Sequence, residues 1–383
     1  METEIDFGRI FEFLTPHIIY GNGSLDELGK NTKNLGINAL LVTGKTAMRK
    51  CGIIDRSKEI LESAGCSVTV FDRVEPEVSC QTVDKGKNFA VKSKSEVVIA
   101  IGGGSALDCG KAIAIMMTHE GESCEYQEEK DIIREGIPFV AIPTTAGTGS
   151  EVTKNSVLIN KETGWKGSIR DAKMTAKIAI IDPELTLTMP PSITAASGMD
   201  ALTQAIESYV SLRSNPLSDT LAARAIKLIS NNLEKAVKQG NSLQIRERIC
   251  LGSLMSALAF SNSGLGGVHG VAHPIGADFD IPHGDICAIL LPKIMEYNKN
   301  FNTSKYLEVA KLLDLTNNTI EDGIKSIEDL LERINIPLTL GKYNIDPKKF
   351  ETSIDKARGG SFNSNPRKID KKELSSFLIE RLL

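Results

Sequence analysis

The chain has 383 residues, of which 41% are hydrophobic and 25% charged, and 45 basic against 49 acidic residues give a net charge of −4. This composition is too apolar for a disordered protein, and the mixed charge excludes the basic surface typical of nucleic-acid or membrane-surface binding. The seven cysteines are scattered without a C-x-x-C pair, and no apolar run approaches the ~20 residues of a membrane span. We therefore expect a cytoplasmic protein of roughly two or three domains.

Short apolar runs alternate with amphipathic stretches in the first half of the chain. The stretches at 53–64 and 82–92 have helical spacing. Near-continuous β-branched runs are typical of parallel strands that are covered on both faces. The pattern therefore predicts an α/β domain built on a parallel sheet. The predicted strands are 39–43, 67–71, 97–101, 139–143 and 177–182.

The strand patterns end after Pro190-Pro191. The rest of the chain is rich in Ala, Leu, Lys and Glu, and the segments 218–239 and 318–334 have long helical periodicities. Prolines mark breaks between elements. We predict an α/β domain at 1–186, followed by an all-α domain at 187–383.

A glycine-rich loop follows the third predicted strand. It reads Gly102-Gly103-Gly104-Ser105, and a predicted helix begins directly after it. Glycines let the backbone approach a phosphate, and a helix N-terminus favours its charge. A tight turn between strand and helix would need the same glycines, so this loop alone leaves both interpretations open. A second hydroxyl- and glycine-rich loop at 143–151 follows the next strand, and the two loops together favour nucleotide binding.

Three of the five histidines fall within fifteen residues. His269 and His273 have i, i+4 spacing, which puts them on one face of a helix, and His283 lies in a predicted loop. Converging imidazoles commonly hold a divalent metal. Asp200 and Gln204 repeat the i, i+4 spacing on another predicted helix and could complete the ligand set. Single histidines are more often core or surface residues, and such a polar pair is usually a solvated face, so the simpler interpretations stay open.

Six segments form an ordered set of motifs along the chain. They are the glycine loop with Asp108, PTTAGTGSEVT at 143–153, DPEL at 182–185, GMDALTQAIESY at 198–209, GLGGVHGVAHPIGADFDIPHG at 264–284, and Asn365-Pro366-Arg367. Together they resemble the iron-containing (group III) alcohol dehydrogenase family over nearly the whole chain. The resemblance implies a dehydroquinate-synthase-like fold, NADP or NAD as cofactor, and hydride transfer between a primary alcohol and its aldehyde.

The resemblance also implies a divalent metal, most often iron, with zinc or manganese as alternatives. The family holds its metal through an aspartate and three histidines, and the matched positions are Asp200, His269 and His283. Gln204 stands where the family has its remaining histidine. An amide oxygen is a hard, neutral donor that suits iron, manganese or magnesium better than softer metals. We expect the metal to be retained, with Gln204 as a ligand, and either bound more weakly with a shifted metal choice or bound only when substrate is present. A lost metal site is the remaining alternative.

Catalytic, pocket and cofactor residues follow from the same resemblance. Asp200 and His273 are the predicted catalytic residues, with proton relay or nicotinamide contact for His273 and helix packing as its plain alternative. Phe260 and Ser361 are predicted to line the substrate pocket. The predicted cofactor-binding residues are Gly44, Lys45, Gly103, Gly104, Ser105, Asp108, Thr144, Thr145, Thr148, Asn155, Lys166 and Leu187.

The loop after the first predicted strand bears on cofactor choice. NAD-selective enzymes place a carboxylate near the ribose 2′-hydroxyl, where it repels a 2′-phosphate. NAD-selective members of the family carry an aspartate at the position of Gly44, which here is followed by Lys45. We therefore expect NADP to be accepted and preferred, unless Lys45 is simply a surface residue.

A basic, glycine-rich segment precedes Asn365. Arg358 in this segment offers a guanidinium suited to carboxylate, phosphonate or sulfonate oxygens, so an aldehyde with an anionic group is one candidate substrate. A solvated arginine is the simpler interpretation. Two other functions stay open, namely a lyase of the dehydroquinate-synthase type and a catalytically silent nucleotide-binding homologue. We expect a homo-oligomer, a dimer or larger, that acts on a small-molecule alcohol or aldehyde.

Overall fold

The computed structural model of the chain describes residues 10–128, 130–316, 318–357 and 360–383. The chain forms two compact units, Leu14–Thr188 and Met189–Leu383, and residues 10–13 group with the second unit. The predicted boundary lay between residues 186 and 187. Every strand of the described residues belongs to the first unit, and the second unit is helical. The predicted combination of an α/β half and an all-helical half is confirmed.

A parallel sheet forms the core of the first unit. Its strands, with those of a small hairpin, are β1 (His17–Tyr20), β2 (Asn38–Gly44), β3 (Ser67–Val74), β4 (Val97–Gly102), β5 (Phe139–Pro143), β6 (Asn155–Ile159), β7 (Lys166–Arg170) and β8 (Ile178–Ile181). The six-stranded sheet has the order β1-β8-β5-β4-β2-β3, and all its pairs are parallel. Leu40 and Leu41 belong to different core clusters, one on each face, and both are fully buried. Burial on both faces is why the strand reads as a continuous apolar run.

The sequence analysis missed three strands. β1 is only four residues long and lies at the edge of the sheet, and β6 and β7 form an antiparallel hairpin. The sequence of β7, KGSIR, alternates weakly and contains glycine and two charges. A short edge strand or a polar hairpin lacks the apolar run that identifies a strand covered on both faces.

Helices cover the sheet of the first unit. They are α1 (Leu28–Lys33), α2 (Ala47–Lys50), α3 (Ile53–Ser63), α4 (Cys80–Lys92), α5 (Gly104–Met116) and α6 (Ser123–Glu128). Both helices predicted for this half are present as α3 and α4. α4 begins after Ser79, whose side-chain oxygen accepts a hydrogen bond from the Thr82 N–H at 3.3 Å and so caps the helix.

The second unit consists of helices α7 (Pro191–Val210), α8 (Pro216–Ser230), α9 (Leu233–Lys238), α10 (Leu243–Ser263), α11 (Gly267–Phe279), α12 (His283–Asn298), α13 (Thr303–Leu313), α14 (Ile320–Arg333), α15 (Pro347–Lys356), α16 (Ser361–Ser364) and α17 (Lys371–Leu382). The single helix predicted at 218–239 is wrong, because Asn231 and Asn232 separate α8 from α9. The Asn232 side chain donates to the Leu228 carbonyl at 2.7 Å, which is the local bonding that makes asparagine a helix breaker. The loop predicted around His283 is also wrong, since His283 is the first residue of α12 after Pro282.

The length and apolarity of the helices bear on whether any of them could span a membrane. Among the described residues, no single helix is long and apolar enough to cross a membrane. One pair, α10 with α11, is bent by 103° and could do so by length and composition only.

Candidate metal centre and nucleotide-binding loops

The order in which the chain adds strands to the sheet reverses between β2 and β4. From β2 the chain continues outward to β3, whereas from β4 it continues the other way to β5 and β8. Gly44 ends β2 and Gly102 ends β4, and the pairing of Thr43 with Ile101 sets the two strand ends level. In open α/β sheets, nucleotides bind at the carboxyl ends of the strands at such a point.

Two loops lie against each other at this edge of the sheet. The Thr144 N–H donates to the Gly102 carbonyl at 2.9 Å. A Cβ atom on Gly104 would lie 2.8 Å from Cγ2 of Thr148, a distance that real Cβ atoms essentially never show, so the close approach requires glycine. The structure thus brings together six of the predicted cofactor residues, Gly103, Gly104, Ser105, Thr144, Thr145 and Thr148.

Helix α5 presents its N-terminus at the first of these loops. Its N-cap residue is Gly103, which provides no side-chain hydrogen bond to the first turn. The first N–H groups of a helix lack partners within the helix, and the helix dipole makes this end positive. The arrangement therefore suits an anionic group such as a pyrophosphate.

Asp108 lies one turn further along α5 and is half-buried. Its carboxylate accepts hydrogen bonds from the Ser150 hydroxyl and from the Val157 N–H, the latter at 3.0 Å. The Lys111 ammonium donates to the carbonyl oxygens of Ser150 and Asn155, both at 2.7 Å. Asp108 and Asn155 thus connect α5 with the second loop and the hairpin, and this connection holds the two loops in register.

Two buried ionisable groups lie behind the second loop. Burial lowers the pKa of Lys111 to about 8 and raises the pKa of Glu151 to about 7. Both shifts have the same physical cause, since loss of water disfavours the charged form of either group. The loop therefore rests on two buried ionisable groups whose charged forms are both disfavoured by burial.

The other predicted cofactor residues occupy three separate places in this unit. Lys45 follows β2 and is exposed. Lys166 pairs with the Glu77 carboxylate, and the Glu77 N–H donates to the Ser105 hydroxyl oxygen at 3.1 Å. Lys166 is therefore linked to the glycine loop through Glu77. Leu187 follows a 3₁₀ turn at Pro183–Thr186.

Three of the predicted metal ligands converge in the helical unit. Nε2 of His269 lies 3.2 Å from Oδ1 of Asp200, and Nε2 of His283 lies 3.7 Å from the same oxygen. Cys287 lies one turn after His283 on α12, and the ligand atoms of all four residues lie within 4.8 Å of one another. Asp200, His269 and Cys287 are buried and His283 is half-buried. This group has the composition and spacing of a site for a divalent metal.

Glu207 orients His269, and the sequence analysis did not predict it. Oε2 of Glu207 lies 2.6 Å from Nδ1 of His269, and Oε1 accepts from the Val268 N–H at 2.6 Å. A carboxylate at Nδ1 places the ring hydrogen on that nitrogen and leaves Nε2 facing Asp200, as is usual around metal-bound imidazoles. Glu207 lies two turns after Asp200 on the same face of α7, so the helical spacing did carry a signal.

The electrostatics of the cluster favour a cation. Burial acts to lower the pKa of His269, but Cys287, Glu207 and Asp200 together hold that pKa well above its ordinary value. Burial raises the pKa of the Cys287 thiol to about 11. Because two buried carboxylates face one imidazole, positive charge between them is stabilised.

Gln204 is the remaining predicted metal ligand. It lies one turn after Asp200 on α7 and is 3% exposed. Its Oε1 atom is buried and accepts no hydrogen bond from any residue that the structure describes. An unsatisfied buried acceptor costs about 1–3 kcal/mol, and a bound cation would remove that cost. The donor set therefore fits a divalent metal.

His273 lies beside the cluster rather than in it. Its ring stacks on that of His283, with centroids 4.9 Å apart and planes inclined by 11°. It is not one of the four residues whose ligand atoms converge. The structure thus places His273 next to a candidate ligand, and its predicted role in proton relay or nicotinamide contact stays a prediction.

The predicted substrate-pocket residues lie on α10 and α16. Phe260, in the last turn of α10, and Ser361, the first residue of α16, are both half-buried. The next residue, Phe362, packs against α11, where a Cβ on Gly270 would lie 2.1 Å from its ring. Ser361 therefore belongs to a segment held against the helix that carries His269. Arg358 lies outside the described residues.

Asn365 anchors the start of α11. Its Oδ1 accepts hydrogen bonds from the Gly267 N–H at 3.0 Å and from the Asn298 side chain at 2.9 Å. The Asn365 amide in turn donates to the side-chain oxygen of Asn298. Asn365 of the Asn-Pro-Arg motif thus holds the turn that precedes His269 on α11.

Comparisons with known proteins agree with this geometry. The model of the iron-containing alcohol dehydrogenases matches residues 15–183, and that of the C-terminal part of the Fe-containing alcohol dehydrogenase family matches residues 194–382. The chain is 37% identical over 378 residues to 1,3-propanediol dehydrogenase of Klebsiella pneumoniae, covering 96% of this chain and 98% of that protein. It is 38% identical over 371 residues to the NADPH-dependent butanol dehydrogenase of Clostridium saccharobutylicum, covering 93% and 94%. A crystal structure of 1,3-propanediol oxidoreductase matches with a TM-score of 0.94 and 37% identity, covering 98% of this chain and 100% of that one.

A parallel sheet of the kind that binds nucleotides, followed by a helical unit with an Asp–His–His cluster, is typical of a metal-dependent dehydrogenase. The chain belongs to the iron-containing alcohol dehydrogenase family. It is an NAD(P)-dependent enzyme that interconverts alcohols and aldehydes with the help of a divalent metal. The family membership inferred from the motifs is confirmed.

Proposed function

We propose that the chain interconverts a small primary alcohol and its aldehyde and prefers NADP(H), at a divalent metal held by Asp200, His269 and His283 with Gln204 beside them. The observation that carries the proposal is the convergence of Asp200, His269 and His283 in a buried part of the helical unit. When bound there, a divalent metal supplies Lewis acidity toward the oxygen of the alcohol or aldehyde.

The residues of the chain orient the donors and keep water away from them. Glu207 holds the hydrogen of His269 on Nδ1, so that Nε2 is the donor atom. Burial of Asp200 and Gln204 lowers the local dielectric constant, which strengthens each electrostatic interaction in the site. We assign to His273 the transfer of the hydroxyl proton or a contact with the nicotinamide ring.

The cofactor is assigned to the sheet edge described above. The N-terminus of α5 with Gly103 and Gly104 would bind the pyrophosphate, and the threonines of the second loop would supply hydroxyl groups around it. Lys45, exposed at the end of β2, would bind a 2′-phosphate. Asp108, Asn155, Lys166 and Leu187 would support these loops.

Steady-state kinetics with both cofactors tests the preference. We expect kcat/KM to be higher with NADP than with NAD, and Lys45→Ala to raise the KM for NADP about tenfold, the loss of roughly one charge-assisted contact. The KM for NAD serves as the internal control and should stay unchanged. An NAD/NADP efficiency ratio well above about ten would contradict the preference, as each factor of ten corresponds to about 1.4 kcal/mol.

An NADPH-oxidation screen tests the reaction itself. Protein loaded with iron, zinc or manganese is assayed with a panel of neutral and anionic aldehydes, and Asp200→Asn is the matched control that removes one ligand charge. We expect aldehyde reduction by the loaded wild type and a large loss in Asp200→Asn. Absence of turnover with every metal and aldehyde would favour a catalytically silent homologue, and product formation without net NADPH oxidation would favour a lyase.

We also infer a homo-oligomer, a dimer or larger, in the cytoplasm. All seven cysteines lie in the described ranges and are free thiols, which suits a reducing compartment. Light scattering of the purified protein measures the oligomeric state directly, and a monomer at micromolar concentration would contradict it.

A further inference from the structure

A cysteine sulfur lies among the proposed metal ligands. Sγ of Cys287 is 3.6 Å from Nε2 of His283 and 3.9 Å from Nε2 of His269. Cys287 and His283 are one turn apart on α12, so both project from the same helix face. The Cys287 side chain is 0% exposed. Its sulfur therefore faces the same buried point as the two imidazoles.

The separations between these atoms match those of a tetrahedral site. Nitrogen and oxygen ligands at ~2.1 Å and sulfur at ~2.3 Å from a tetrahedral zinc lie about 3.3–3.6 Å from one another. The corresponding distances here are 3.2 Å and 3.7 Å from Asp200 Oδ1 to the two imidazole nitrogens. Those from Cys287 Sγ to the same nitrogens are 3.9 Å and 3.6 Å. Four of the six separations among these atoms thus lie within about half an ångström of the tetrahedral values, and all six are within 4.8 Å.

The amide of Gln204 is a weak donor for a borderline metal, and the thiol offers a strong one. A neutral amide oxygen binds zinc or iron less well than an imidazole does, whereas a thiolate selects soft and borderline metals. Gln204 is one turn from Asp200, and among the described residues none donates a hydrogen bond to its buried Oε1. Cys287 is therefore the stronger of the two donors for such a metal, and its sulfur lies beside the two imidazoles.

We propose that Cys287 is a direct metal ligand in this chain, together with Asp200, His269 and His283, and that it turns the metal preference of the centre toward zinc. The inference rests on the proposed function, because it requires a metal at the same place. On binding, the Sγ–H bond breaks, the proton leaves to solvent and a sulfur–metal bond forms, with no change of oxidation state. Gln204 then remains a weak additional donor.

Absorption spectra of the cobalt(II)-substituted protein test the ligand. A thiolate bound to cobalt(II) absorbs in the near ultraviolet by charge transfer, whereas the visible d–d bands report bound cobalt whatever its ligands. We expect both sets of bands in the wild type and loss of only the near-ultraviolet band in Cys287→Ser. Cys250→Ser is the matched control, since Cys250 is also a buried thiol of the helical unit, and it should keep both sets.

X-ray absorption of the zinc-loaded wild type gives a second readout that requires no variant. We expect one sulfur scatterer at about 2.3 Å from zinc. In chelator competition, Cys287→Ser should lower the zinc affinity about tenfold or more and the manganese affinity much less.

The thiolate ligand and the metal centre itself are contradicted by different results. Visible cobalt bands without the near-ultraviolet band, or a near-ultraviolet band that persists in Cys287→Ser, would overturn the thiolate ligand and leave the metal centre intact. A wild type that takes up neither cobalt nor zinc would overturn the metal centre and the thiolate ligand together.

Discussion

At the scale of single residues, the groups around the proposed metal ligands hold those ligands in place. One carboxylate, that of Glu207, binds both the His269 ring and the Val268 backbone, so it fixes the side chain and the chain that carries it. Removing such an outer partner typically lowers metal affinity by about 10–100-fold.

The first prediction concerns Glu207→Gln. An amide has one acceptor oxygen in place of two, so one of the two hydrogen bonds is lost and the ring is held less firmly. We expect zinc or iron affinity to fall by about 10–100-fold, measured by competition with a chromophoric chelator. Glu321→Gln, an exposed position of the same unit, should bind metal as the wild type does. Equal affinities for wild type and Glu207→Gln would show that His269 needs no such support.

A second prediction concerns Glu151→Gln and pH. Burial raises the pKa of Glu151 in the folded protein to about 7, above its ordinary value of 4.5. The neutral carboxylic acid is therefore tolerated in the buried position, whereas its ionisation there costs free energy. The contribution of Glu151 to the free energy of unfolding is therefore fully present below pH 4.5, and it is lost as the pH rises through the folded pKa of about 7.

The free energy of unfolding of the wild type relative to Glu151→Gln should therefore fall between pH 5 and pH 8. We expect a change of about 1–3 kcal/mol, since each unit of pKa corresponds to about 1.4 kcal/mol. Urea unfolding at several pH values measures it, and Glu162→Gln, at an exposed position, provides the control. A constant difference across this range would mean that Glu151 is ionised in the folded protein.

At the scale of elements, the two loops at the sheet edge are in direct contact because residue 104 is glycine. A methyl group at residue 104 would meet Thr148 at 2.8 Å, and Thr148 belongs to the loop that α5 already holds through Asp108 and Lys111. Moving either loop therefore moves the other.

The third prediction is that Gly104→Ala separates these loops. We expect a stability loss of about 1–3 kcal/mol from overpacking and a KM for NADP raised by about tenfold or more. Thr148→Ser removes the nearest methyl group, so the double variant Gly104→Ala/Thr148→Ser should recover part of both losses. If the single variant binds NADP normally, the contact between the loops has no part in cofactor binding.

Sequence reasoning succeeded where one element carries its own signal. Strand β4 is apolar throughout because both faces are buried. The motifs pointed to His269 and Asp200, and the structure brings these two side chains within 3.2 Å of each other. Sequence reasoning failed where the signal arises only on packing. The spacing of Glu207 from Asp200 on α7 was a local signal, but its contact with His269 joins residues 62 positions apart. Cys287 resembles an ordinary core thiol until α12 packs near α11. The break between α8 and α9 was missed because the helical periodicity was followed across 218–239, although the adjacent Asn231 and Asn232 are a local sign of a break.

At the scale of the whole molecule, metal binding and folding of the helical unit are linked. Asp200 and His269 are 69 residues apart in sequence and belong to different helices, so their donors converge only in the folded chain. A ligand that binds only the folded state stabilises it, by about 2.7 kcal/mol at a concentration of 100 times its Kd.

The fourth prediction is a metal-dependent Tm. We expect chelation to lower the Tm by several degrees and zinc to restore it, since about 1 kcal/mol shifts the Tm of a unit of this size by roughly 2–4 °C. Calorimetry with and without chelator measures the shift, and Asp200→Ala should show none. A Tm that does not respond to metal in the wild type would mean that the donors bind no cation.

The cofactor loops and the metal donors belong to separate stretches of the chain, one ending before Thr188 and the other beginning after Met189. A gene encoding such a chain can exchange one stretch by recombination without interrupting the residue set of the other. On the proposed assignment, the residues that set the choice between NADP and NAD lie in the first stretch, and those that set the choice of metal lie in the second. A substitution in one stretch can therefore change one preference and leave the residues behind the other unchanged.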